Sequence, residues 1–204
     1  MSAVTETLVR EYFEMLGYLT AQPRKYTVPG RAKKADEEVD LVVVNPAIRE
    51  HVLPANFVWT AIDLKTVARA VVGVRGWHTD RFYASTFEKT PEILHFALPE
   101  SVKFAARILG ATDMTKSLAK VLCIPNLPAS GELKERSIRV LKERGIDGVI
   151  SFRTILAELV AGVDVNKNYE KSDLLQTIRL LKNYELVRDE QLDMFMRARR
   201  KRKA

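Results

Sequence analysis

The chain has 204 residues, 47% of them hydrophobic and 29% charged, a balance that suits a globular protein with one sizeable core and room for a small appendage. Its formal charge of +7 is concentrated: Arg197, Arg199, Arg200, Lys201, Arg202 and Lys203 sit together near the end, and without them 27 basic residues face 26 acidic ones. No apolar run approaches the roughly 20 residues that cross a bilayer, and the start has no basic stretch followed by an apolar one, so the expectations are no membrane span, no secretory leader and a cytoplasmic setting. The single cysteine, Cys123, lies in the apolar run 120–124, cannot form an internal disulfide and reads as a small buried hydrophobe.

In chain order, residues 5–16 read as an amphipathic helix. Leu8, Tyr12 and Met15 share a face with Val9, Phe13 and Leu16, and Gly17 supplies the stop. Residues 18–28 read as extended chain ended by Pro29-Gly30, and the charged stretch 31–38 as an exposed turn or loop. A strand over 39–44 follows, stopped by Asn45-Pro46. Residues 46–56, with two prolines, read as irregular. Segment 58–69 fits two patterns. As a strand it carries Asp63-Leu64-Lys65; as a helix, Thr60 is its N-cap with Asp63 three positions on, and Leu64, Val67, Ala68 and Val71 recur at helical spacing. A strand ending near Lys65 must turn back before the next strand at 70, and Thr66-Val67-Ala68-Arg69 holds no Gly, Pro, Asn or Asp to make that turn. Turn chemistry therefore favours the helix.

A strand over 70–77, a loop over 77–82 and a helix near 99–109 come next. Then strand and helix alternate: strand 119–124, helix 132–144, strand 148–152, helix 154–161. Residues 164–168 read as a linker. Ser172 caps a helix with Leu174, Leu175, Ile178, Leu181 and Leu186 on its apolar face, and Asp189 caps a last one with Leu192, Phe195 and Met196 inward. This order indicates an α/β (α+β) mixed central sheet flanked by helices over residues 1–164, with a C-terminal helical appendage and basic tail over 171–204.

Three features resemble the PD-(D/E)xK (restriction-endonuclease-like) nuclease superfamily, and within it the archaeal Holliday-junction-resolvase-like members. Glu6 stands eleven residues before Gly17-Tyr18, like a glutamate-bearing first helix ending at a Gly-aromatic pair. Residues 38–44, Glu-Val-Asp-Leu-Val-Val-Val, are similar to the strand with the first aspartate, here Asp40. Residues 71–76 are similar to the strand that normally carries Glu-x-Lys, with Gly73 and Arg75 at those two places. The resemblance covers about residues 5–125. It implies a core of one helix, three meandering strands, a helix and a further strand, and phosphodiester hydrolysis at Mg²⁺ or Mn²⁺.

Such chemistry needs converging carboxylates for a hard cation and a nearby cation to steady the developing charge. By this alignment Asp40 is in place and Glu6 offers a second carboxylate, while Gly73 offers no side-chain ligand. Arg75 stands where a lysine is usual; its charge is fixed, and a site of this kind is expected to bind phosphate yet turn over poorly. A rival alignment restores a complete site from Asp40, Asp63 and Lys65, at the cost of the strand reading of 58–66.

Each residue also has a plainer reading. Asp40 would cap a strand start, Glu6 would answer a helix dipole, Asp63 would close a capping box, and Arg75 would make a surface ion pair. Trp77, His78 and Asp80 form a polar-aromatic cluster. With no second His or Cys at ligand spacing it reads as loop packing, with base stacking as the alternative. His51 and His95 show no partner pattern. The tail 197–203 would bind nucleic acid, DNA first, by counterion release, or stay solvated. Three functions remain: a nucleic-acid-binding protein on a nuclease fold with impaired catalysis; an active Mg²⁺-dependent endonuclease using Asp40, Asp63 and Lys65; and an assembly subunit, such as a homodimer, held by its terminal helices.

Overall fold

The computed structural model describes residues 3–23, 38–78, 81–110 and 118–187. The first helix, α1 (Ala3–Met15), stops because Gly17 takes a positive φ of 85°, which a side chain would resist. The turn is closed by Gly17 N–H to the Glu14 carbonyl and Tyr18 N–H to the Phe13 carbonyl, both 3.0 Å. The chain then lays down β1 (Leu19–Ala21) and, further on, β2 (Leu41–Val44). A single helical turn, α2 (Ala61–Leu64), precedes β3 (Arg69–Val74). Next come α3 (Ala84–Lys89), a 3-10 helix (Pro91–Ala97) and α4 (Pro99–Ile108). The remaining elements are β4 (Ala119–Ile124), α5 (Gly131–Glu143), β5 (Gly148–Ser151), α6 (Phe152–Gly162) and α7 (Asp173–Asn183).

The five strands form one open sheet in chain order, β1-β2-β3-β4-β5. β2 runs antiparallel to both β1 and β3, whereas β3, β4 and β5 are parallel. The architecture is thus a mixed α/β sheet flanked by helices, the class expected from the order of elements. Parallel strands need crossovers, and those crossovers cover the sheet. On one face α1, α6 and α7 pack on Leu41, Val43, Val72, Val121 and Ile150. On the other, α3, the 3-10 helix, α4 and α5 pack on Val42, Val71, Leu122, Ile124 and Val149. Both faces are buried, which is why these strands read as continuous apolar runs instead of alternating ones.

Segment 57–68 settles the choice between helix and strand and adds a feature that neither pattern contains. Only residues 61–64 are helical, one turn of the helix that turn chemistry favoured over 58–69; Val67 and Ala68 lie beyond it and Val71 belongs to β3. Just before that turn, Val58 lies parallel beside Val149: Trp59 N–H donates to the Val149 carbonyl and Val149 N–H to the Phe57 carbonyl, each at 2.8 Å. The chain therefore leaves β2, crosses to the far edge of β5, pairs there, and returns through α2 to the middle of the sheet. Trp59 is fully buried against Gly148; a Cβ on that glycine would stand 2.2 Å from the indole.

Other expectations are corrected in detail. The strand foreseen over 70–77 ends at Val74, where pairing with β4 stops. Residues 84–97 hold a short helix and a 3-10 helix that Pro91 separates; neither is long enough to develop a 3.6-residue period. Ser172 does cap α7, accepting the Leu175 N–H at 3.2 Å, and Ile178 turns into the core. Leu186 lies past the helix end and is 72% exposed, so it is no part of the apolar face. Lys182 reaches back to the carbonyls of Val160 and Val163 at 2.8 and 2.7 Å, tying α7 to the end of α6. The helix expected after Asp189, the tail 197–203 and Asp80 lie outside the described residues.

Candidate functional site

Asp40 immediately precedes β2, and the β2–β3 register that pairs Leu41 with Val72 sets it opposite Gly73. Strand side chains alternate, so Asp40, Gly73 and Arg75 share one face. The structure brings Asp40 and Arg75 together as the sequence suggested, but away from water: they are 1% and 6% exposed. Asp40 Oδ2 accepts from Arg75 Nη1 at 2.5 Å and from the Val74 N–H at 2.7 Å. The same Nη1 also donates to the Val74 carbonyl at 2.7 Å. Arg75 is thus neither a surface ion pair nor a side chain held out to solvent.

The gap at Gly73 is filled. A Cβ there would stand 2.4 Å from the Phe96 ring, so the glycine is required by the aromatic packed on it. Phe96 is itself fully buried, and the Arg75 guanidinium lies 5.8 Å from its ring centroid. Sequence reading missed Phe96 because it sits in the 3-10 helix, far along the chain from β3. The one available signal was the glycine in an otherwise bulky strand, which marks a close approach.

The other candidate ligands point elsewhere. Glu6 accepts a hydrogen bond from Gln22 Nε2. Asp63 turns back on its own helix start: Oδ2 accepts from Thr60 N–H at 2.9 Å and Thr60 Oγ1 at 3.0 Å, and Oδ1 accepts from Asn56 at 3.2 Å. Burial acts to raise the Asp63 pKa, but these hydrogen bonds outweigh it and hold the carboxyl below its ordinary value of 3.8. Lys65 is exposed at the close of the same turn. The turn α2 leads into the amino end of β3, whereas Asp40 stands beside its carboxyl end, so about 13 Å of strand separates the two alignments' sites.

The described contacts of Asp40 disfavour a divalent cation at its Oδ2. That oxygen already holds two donors, one of them a fixed positive charge at 2.5 Å. Among the described residues no three His, Cys, Asp or Glu side chains gather closely enough to hold a metal ion. The arrangement can hold the ends of β2 and β3 together; among the described residues Asp40 is not joined by a second carboxylate, and Arg75 is engaged with Asp40.

Two further polar centres were not foreseen. His51 Nδ1 accepts the Ala68 N–H at 3.0 Å, which fixes the ring proton on Nε2. Burial first, and then the Arg69 charge, lower its pKa from the ordinary 6.5 against the opposing pull of Asp147. Glu158 on α6 accepts from the Ala61 N–H at the start of α2, at 3.1 Å to each carboxylate oxygen, and from the Tyr12 hydroxyl. Burial and the Glu158 charge push the Tyr12 pKa up. His95 Nδ1 lies 3.5 Å from Glu38 Oε1 on the wall of a groove of about 590 Å³ that also includes Pro99 and Lys103. No family model matches the chain, and no curated protein or solved structure is significantly similar to it.

Proposed function

We propose that this chain is a nucleic-acid-binding protein on a restriction-endonuclease-like frame whose catalytic pair has become a structural ion pair, so that it holds nucleic acid without cutting it. The observation that carries this reading is the closed centre at the end of β3: Asp40 locked by Arg75, with Phe96 packed on the glycine where an acidic residue would be required. What supports the frame is the order of elements, a first helix, three antiparallel strands, helices and then a parallel strand, with Asp40 and Gly73 facing each other across β2 and β3. What supports the ligand is the tail, six positive side chains in seven residues on a body near neutrality.

Fluorescence anisotropy with single-stranded and duplex DNA, taken as a function of salt, tests it. If all six tail cations meet phosphates, log K falls against log salt with a slope of roughly 5, and deleting 197–203 removes most of that dependence. Incubation with Mg²⁺ or Mn²⁺ should leave single-stranded, duplex and branched DNA intact. Cleavage that disappears on Lys65→Ala would overturn the reading in favour of an active endonuclease. A tight oligomer with no affinity for nucleic acid would overturn it in favour of an assembly subunit.

A further inference from the structure

We propose that Trp77 is a stacking platform for an unpaired base, which makes single-stranded nucleic acid the preferred ligand; this rests on the nucleic-acid reading above and assigns it a contact outside the tail. Trp77 follows β3 by three residues and is 42% exposed, an unusual place for the largest apolar side chain of a protein that buries its other tryptophan completely. Its inner face is stacked on Phe82, with ring centroids 5.6 Å apart and planes inclined by 14°. Phe82 is fully buried, lies 5.8 Å from the equally buried Phe87, and is held by its own N–H on the Asn126 carbonyl at 3.0 Å. The indole is therefore backed by a fixed aromatic layer while part of its surface stays in water, so a base that lands on it meets a surface already in position.

The neighbours suit a nucleotide. The chain is extended around Phe82, so as Phe82 turns inward Arg81 and Tyr83 turn outward, and both are exposed. Arg81 supplies an exposed cation beside Phe82, the ring that backs the platform, for the phosphate of a stacked nucleotide, and Tyr83 an exposed aromatic with a hydroxyl. Every base has a π face, so such a platform tolerates sequence but requires the base to be unpaired; duplex DNA offers its bases edge-on.

The two tryptophans make the test direct. Trp59 is fully buried and Trp77 is exposed, so a change in tryptophan emission on adding an oligothymidylate reports Trp77. The expected result is quenching by the single strand and little by a duplex of equal length. W77A should bind the oligothymidylate roughly 5- to 150-fold more weakly with an unchanged salt slope, because stacking releases no counterions. W77F should retain part of the affinity, and the blue emission of Trp59 in W77A checks that the fold is intact. Oligothymidylate that binds with the tail's salt dependence, while Trp77 emission and W77A affinity stay unchanged, would overturn the platform and leave the nucleic-acid reading standing. No binding of either strand form by the full chain would overturn both.

Discussion

The two ends of β3 each carry an acid and a base two residues or one strand apart, and they resolve the pairing in opposite ways. At the carboxyl end Asp40 and Arg75 turn toward each other, shut away from water under Phe96. At the amino end Asp63 turns back on Thr60 and Asn56, and Lys65 points to solvent. Both pairs have spacing compatible with a nuclease centre. Spacing fixes which side chains share a face; the groups already bonded to them fix what chemistry is left. A buried acid with a buried cation is committed to its partner, because separating them leaves an uncompensated charge in the interior. An acid on a surface turn gives up only a cap.

The comparison breaks if the two ends respond alike to mutation. The largest effect belongs to Asp40→Asn, which strands the Arg75 charge and should cost about 3–5 kcal/mol in urea unfolding. Replacing both Asp40 and Arg75 by apolar residues of similar volume should recover much of that loss. A small cost for the single variant would mean that Arg75 escapes to water. Next comes Gly73→Ala, whose methyl meets the Phe96 ring and should cost about 1–3 kcal/mol. Combined with Phe96→Ala, the two losses should sum to less than their separate values, and strict additivity would show that the ring does not determine the glycine.

Asp63→Ala should cost about 1 kcal/mol, the value of a helix cap, with no effect on the carboxyl end. The Asp63 pKa is lowered, so its contribution is full above pH 3.8 and is lost as pH falls through the folded value below that. The amino end also has a milder acid limit. The His51 pKa is lowered, so its hydrogen bond from Ala68 is fully present above pH 6.5 and is lost as pH falls through the folded value. The protection factor of the Ala68 amide, its exchange rate relative to the intrinsic rate at each pH, should therefore fall in mild acid while that of Val74, bonded to Asp40, is kept. An equal loss of protection at both amides would erase the distinction between the ends. Lys65→Ala, the smallest change, should stay within about 0.5 kcal/mol of wild type.

Much of this fold could be read from the chain because its signals are local. Gly17 stops α1, Ser172 caps α7, and the lack of turn residues at 66–69 favoured a helix in 58–69, of which the single turn 61–64 forms. What stayed hidden depends on contacts between segments far apart in sequence. Val58 pairs with Val149 with no local signal of it, and Gly73 marks a close approach without naming Phe96 as the group that makes it. Asp40 stood out as the lone acid of an apolar strand, and its face was correctly inferred from period two. Its burial with Arg75 could not be inferred, because exposure at that end of the sheet is decided by the 3-10 helix, which has no periodic signature of its own.

The strap across β5 also sets how this sheet meets other chains. A strand edge is a row of backbone donors and acceptors open to any extended peptide. On the β5 side, the two hydrogen bonds at Val149 are already taken by Phe57 and Trp59, and the indole seated on Gly148 anchors that cover. A foreign strand that adds to this side must first lift the strap and expose a fully buried tryptophan. The connecting segment thus takes the place on β5, at Val149, where an added strand would begin to pair.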